Sequence, residues 1–185
     1  VFEVPVGFKY FSQLLFDGAI GIGGEESAGA SFLKKDGTVW TTDKDGMIMA
    51  LLSMEIMAVM GKSALKMTDE FVEEFGNPSF GRIDAPCKKE QKQILKQMSA
   101  ELITATTVDG DPITNIRTTS LYNDMPIDGV RVETDKGWFV ARPSGTEDLY
   151  KIYGESYKGD LGLVALLTAG EEIVNAALNG TIETE

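Results

Sequence analysis

GVRVETDKGWFVARPSGTEDLYKIYGES, residues 129–156, decides how the C-terminal half folds. Residues 129–134 alternate, with Val130 and Val132 on one face and Arg131 and Glu133 on the other, the period-two pattern of a half-buried strand. Asp135, Lys136 and Gly137 supply a hairpin turn, and 138–141 returns beside the first strand. RPSGTE, 142–147, then leads into a further strand, LYKIYGE. Strands joined by connections this short pair antiparallel.

Upstream, PSFGRIDAP at 78–86 reads as another strand and 88–102 as an amphipathic helix. A last helix fills much of 160–178, with an interruption expected at Gly170. Residues 77–185 therefore read as an α+β domain, an antiparallel sheet with helices on one face. The boundary is placed near Asn77, because a helix over 67–75 meets Gly76 and then Pro78, a C-terminal stop signal. Residues 1–76 read as an α/β fragment. It has a short helix over 8–16 and a tight buried strand, GAIGIGG at 18–24, running into a glycine-rich loop. A helix over 47–60 follows N-cap chemistry from Thr42, Asp43 and Asp45. It is apolar nearly all round and carries five of the eight methionines, so it is expected to be a buried core helix, with a methionine-rich recognition surface as the other reading. It is shorter than the roughly 20 residues that span a bilayer.

Two loops carry candidate chemistry. In RPSGTE, Arg142 offers a planar fork matched to phosphate oxygens. Ser144 and Thr146 offer hydroxyls, and Gly145 lets backbone N–H groups approach an anion. The same residues also make a tight turn with a solvated arginine, and physics alone leaves both readings open. In GGEESAG, 23–29, Glu25, Glu26 and Ser27 suit vicinal sugar hydroxyls, which carboxylates and hydroxyls read at close range. A solvated acidic turn is the other reading. VDGDP, 108–112, reads as a turn rather than a metal loop. TTDKDG, 41–46, reads as a helix cap, since Leu52 falls where a calcium loop needs its bidentate glutamate.

Composition narrows the partners. At 185 residues the chain makes one ordinary domain or two small ones. A net charge of −12 makes nucleic acid and anionic membrane poor partners, though a local basic cluster can still hold a phosphorylated ligand. With no histidine, imidazole-based triads and metal sites are excluded. The single cysteine, Cys87, allows no internal disulfide and fits a cytoplasmic location. No signal peptide is read, and the start at VFEVPVGFKY, without methionine, leads us to expect a fragment.

VPVGFKYF, GGEESAG and ARPSGTEDLYKIYGES, in that order, resemble the C-terminal portion of the α-D-phosphohexomutase family, most like its bacterial phosphoglucomutases. The resemblance runs along essentially the whole chain. It implies that 1–76 is the end of the third domain and 77–185 the fourth, a TATA-box-binding-protein-like fold. It further implies a parent that interconverts glucose 1-phosphate and glucose 6-phosphate through a phosphoserine and a bisphosphate intermediate. The "GEES" form of the sugar loop leans to glucose. On this resemblance Glu25 and Ser27 match the sugar readers, and Arg142, Ser144, Gly145 and Thr146 match the clamp on the non-reacting phosphate. Lys9 matches a lysine near the reacting phosphate, with a part in proton transfer or charge stabilisation. The family's phosphoserine and its magnesium loop belong to earlier domains, so no metal ligand is expected in this chain. Mg2+ and glucose 1,6-bisphosphate are expected of the full-length enzyme, whose remaining domains are the expected partner. The chain alone should be inactive. The other reading is a stand-alone, non-catalytic phosphosugar-binding module.

Overall fold

The computed structural model describes residues 1–25, 27 and 29–180. The chain forms two compact units, Val1–Phe75 and Gly76–Glu185.

In the first unit, α1 (Lys9–Phe16) buries Leu14 and Leu15 in a small cluster with Phe8 and Ile20. The strand expected at 18–24 starts later and is buried only at Gly23. β1 (Ile22–Glu25) pairs antiparallel with β2 (Gly29–Phe32), and Ile22 is 57% exposed. Residues 18–20 instead complete the turn after α1, with Gly18 at φ 66°. α2 (Gly46–Met60) starts where its cap chemistry placed it. Asp45 accepts from the N–H groups of Met47 and Ile48 at 2.9 and 3.2 Å. α2 ends on Gly61 in the left-handed region. The expectation that this helix is buried is overturned: none of its residues is buried, and Met47 is 82% exposed. A helix apolar on every side needs cover on every side, and a two-stranded hairpin with two other helices does not supply it. α3 (Ala64–Phe75) follows and stops at Gly76, whose φ is 89°.

The second unit is a six-stranded antiparallel sheet in the order β3-β8-β7-β6-β5-β4. Its strands are β3 (Ser79–Pro86), β4 (Thr107–Val108), β5 (Asp111–Thr119), β6 (Pro126–Thr134), β7 (Gly137–Pro143) and β8 (Leu149–Ser156). Period-two burial sorts the faces. Val130, Val132, Phe139, Ala141, Tyr150 and Ile152 point into the core with Leu166 and Val174 of α5 (Gly159–Asn179). α4 (Lys89–Lys96) adds Leu95 on the same side, so helices cover one face only, the α+β, TATA-box-binding-protein-like arrangement. The helix expected over 88–102 breaks after Lys96, and a 3₁₀ turn, Ala100–Leu102, follows. The break lets Met98 and Ile103 both reach the core.

α5 runs unbroken through Gly170, against the expected interruption. A Cβ there would stand 2.8 Å from Ile152 Cγ2, so the glycine permits close packing on the sheet rather than a bend. By length and composition α5 could cross a bilayer, but Leu166, Gly170, Val174 and Ala177 are buried against the sheet, which identifies it as a core helix.

Candidate functional site

The first unit holds the acidic hairpin. Glu25 is the last residue of β1, and its side chain is only 17% exposed. It is not a solvated charge: Oε1 accepts from the Gly7 N–H at 3.1 Å, and Oε2 pairs with Lys44 Nζ at 2.7 Å. The same ammonium donates to Ser27 Oγ at 3.3 Å. Lys44 thus joins the two expected sugar readers, with lone pairs on both still available to a ligand. Glu26 lies outside the described residues. Lys9, the first residue of α1, is exposed, with its ammonium 5.0 Å from the Tyr10 ring centroid. The Gly7–Glu25 bond ties the start of that helix to the hairpin.

The second unit holds RPSGTE between β7 and β8. The Ser144 N–H donates to Leu149 O at 2.8 Å, closing the turn. Ser144 is buried at 7% exposure; its Oγ accepts from the Glu147 N–H at 3.2 Å, and its hydroxyl is turned to the Glu147 carboxyl. Among the described residues, no hydrogen bond uses the backbone N–H of Gly145 or Thr146, or the Thr146 hydroxyl. Gly145 does not need a positive φ, and the space beside it is open. The loop therefore presents unspent donors to solvent.

Its far end is anchored. Lys92 of α4 donates to Glu147 O at 2.5 Å and to Asp148 Oδ1 at 3.0 Å. Lys151 pairs with Glu147 Oε2 at 2.7 Å. This bond, then the ammonium's charge, holds the Glu147 carboxyl below its ordinary range, and the same bond holds Lys151 above its own.

Arg142 differs from the other three arginines. Arg82 pairs with Asp84 at 2.8 Å, while Arg117 and Arg131 share Glu133 at 3.4 and 2.6 Å. Arg142 has no carboxylate partner among the described residues; its guanidinium lies 5.6 Å from the centroid of Tyr153. Gly129 lets β6 approach it, since a Cβ there would stand 2.7 Å from Arg142 Cβ and 2.2 Å from Ala141 O. An arginine uncommitted to any acid, beside a loop of free donors, is chemistry suited to a dianion.

The sequence reading missed Lys44, Lys92, Lys151 and Tyr153. For Lys151 and Tyr153 a signal existed: period two along β8 sets both on the face opposite Ile152, and β7 sets Arg142 opposite Ala141. For Lys44 and Lys92 there was none, since their partners lie 19 and 55 residues away. VDGDP is the turn between β4 and β5, with Asp109 and Asp111 paired to Lys158 at 2.6 and 3.2 Å.

An α/β fragment with an acidic hairpin is followed by an α+β sheet with a donor-rich loop. Comparison with known proteins gives the family. Residues 1–75 match the family model described as phosphoglucomutase/phosphomannomutase, alpha/beta/alpha domain III, and 83–162 match that of the same family's C-terminal domain. The chain is 48% identical over 94% of its length to a phosphoglucomutase of Komagataeibacter xylinus, covering 31% of that protein. It is 29% identical to a chloroplastic phosphoglucomutase of Arabidopsis thaliana, covering 86% of this chain and 28% of that one. A crystal structure of a phosphoglucomutase/phosphomannomutase family protein from Burkholderia thailandensis shares the fold. Its TM-score is 0.63 at 22% identity, over 96% of this chain and 32% of that one. The chain belongs to the phosphoglucomutase/phosphomannomutase family. It spans less than a third of the length of these curated relatives.

Proposed function

We propose that the chain is the C-terminal portion of a cytoplasmic phosphoglucomutase that interconverts glucose 1-phosphate and glucose 6-phosphate through a phosphoserine and a bisphosphate intermediate. Arg142, Ser144, Gly145 and Thr146 clamp the non-reacting phosphate. Glu25 and Ser27, held by Lys44, read the sugar hydroxyls between the two phosphates. Lys9 supplies positive charge for the reacting end. A fixed anchor at one end converts binding energy into position at the other. A pair of hydroxyl readers in the middle accepts the sugar in either orientation, as a bisphosphate intermediate that turns around requires.

The observation that carries this reading is Arg142, the arginine without a carboxylate partner among the described residues, beside the unspent Gly145 and Thr146 donors of RPSGTE. Magnesium, when bound, neutralises charge at the reacting phosphoryl group. No three His, Cys, Asp or Glu side chains come together among the described residues to hold it, and we assign it to the preceding domains. Those domains also provide the cover that α2 lacks.

The chain alone is expected to bind glucose 6-phosphate at both loops, seen in amide shifts of Glu25, Ser27 and residues 144–146. It should give no conversion of glucose 1-phosphate, since it lacks an assigned phosphoryl-accepting nucleophile and metal site. Turnover by the purified chain, or sugar-phosphate binding that perturbs neither loop, overturns the proposal.

A further inference from the structure

Arginine's side chain is long and rich in rotamers, so a useful phosphate clamp has to be held before its ligand arrives. A carboxylate would hold Arg142 but would also spend its N–H groups and oppose an anion. An aromatic ring differs, because it attracts the cation through its face while the guanidinium's donors project in its own plane. Tyr153 offers such a ring. It is directly paired with Val140 on β7, and Arg142 lies two residues further along the same face, within diagonal reach across the strands. The guanidinium is 5.6 Å from the ring centroid. Arg82, paired with Tyr153 on the other neighbouring strand, lies 5.8 Å from it but is already tied to Asp84. The Tyr153 hydroxyl makes no hydrogen bond among the described residues, so the ring is what the site uses.

We propose that Tyr153 is a positioning residue for phosphate recognition: its ring holds the Arg142 guanidinium in place without consuming its donors. This rests on Arg142 acting as the clamp.

The test is titration of inorganic phosphate into the 185-residue chain and its variants by calorimetry, with thermal unfolding as the check on folding. Tyr153→Phe should bind within about 2-fold of wild type, because the ring remains. Tyr153→Ile, a residue suited to a strand, should raise Kd about 2- to 5-fold. Tyr153→Thr serves in its place if that variant does not fold. In an Arg142→Ala background the same change should have no further effect. Equal affinity for wild type and Tyr153→Ile, with Arg142→Ala weak, overturns the role of the ring and leaves the clamp standing. Equal affinity for wild type and Arg142→Ala overturns the clamp itself. A loss from Tyr153→Ile that persists without Arg142, or a Tyr153→Phe variant as weak as Tyr153→Ile, also overturns the proposal.

Discussion

As the proposed clamp, Arg142 gains from having no carboxylate partner among the described residues. An internal acid would have to be displaced by every incoming phosphate, whereas a guanidinium over a ring meets the ligand with its charge intact. Removing one partner of a close charge pair typically costs about 2–5 kcal/mol, so Arg142→Ala should weaken glucose 6-phosphate binding by roughly 30-fold or more. Arg142→Lys should recover only part, because an ammonium keeps the charge and loses the fork. Calorimetry on the three proteins checks both, and unfolding free energies should agree within about 0.5 kcal/mol if the side chain pairs mainly with ligand. The loop's own acid is spoken for. The Glu147 carboxyl sits below its ordinary 4.5, so its pairing is complete above that value and is lost as pH falls through the depressed one. Lys151 sits above its ordinary 10.5, so its share is complete below that value and is lost as pH rises through the elevated one. Between those limits the anchor does not titrate. Binding of glucose 6-phosphate should therefore strengthen from about pH 5 to 7 with the ligand's second ionisation, near 6. A titration series across that range checks this, and a second inflection would place a protein group in the site. In the acidic hairpin, Glu25→Gln keeps the shape and removes the charge that strengthens hydrogen bonds to hydroxyls. In the parent enzyme kcat/KM should fall roughly 10- to 100-fold, measured with glucose 1-phosphate, and Ser27→Ala should cost less.

At the scale of elements, α5 shows how a sequence signal is read with the wrong sign. Glycine inside a helical pattern suggests a break, yet Gly170 faces Ile152 and Phe139, where a side chain would not fit. Gly170→Val should overpack that contact at a cost of roughly 1–3 kcal/mol, lowering Tm by several degrees in a calorimetric scan. An unchanged Tm would mean that the helix can shift on its sheet. The hairpin of β6 and β7 was legible because Val130, Val132, Phe139 and Ala141 keep strict alternation. β5 was not, because its register slips between Ile113 and Asn115 and again between Arg117 and Thr119, which destroys period two. The donors of RPSGTE were legible because arginine, hydroxyls and glycine carry them wherever they fold. What was not legible is who holds whom. That Lys44 meets Glu25, and that Lys92 meets Glu147, depends on tertiary placement. The burial of α2 was misjudged for a related reason: a sequence reports that a helix wants cover on all sides, not whether the same chain supplies it.

For the whole molecule, Cys87 offers a report on the second unit's integrity. It is 2% exposed, and burial pushes its thiol up, so reactive thiolate is scarce in the folded state. The native chain should resist alkylation by iodoacetamide at neutral pH and become reactive across the urea transition; rapid labelling without denaturant would show that this core opens. The sheet order carries a consequence in time. β3 lies at an edge, and its neighbour in the sheet is β8, with Pro86 opposite Leu149 and Ser79 opposite Ser156. On a ribosome adding about 5–20 residues per second, β3 emerges roughly 3–13 s before any of its partner exists. Through that interval Ile83 and Ala85 have no neighbouring strand to share their burial. The first-made strand of this sheet is thus among the last to be secured, and a ribosome that stalls short of residue 156 releases a sheet with one margin unclosed.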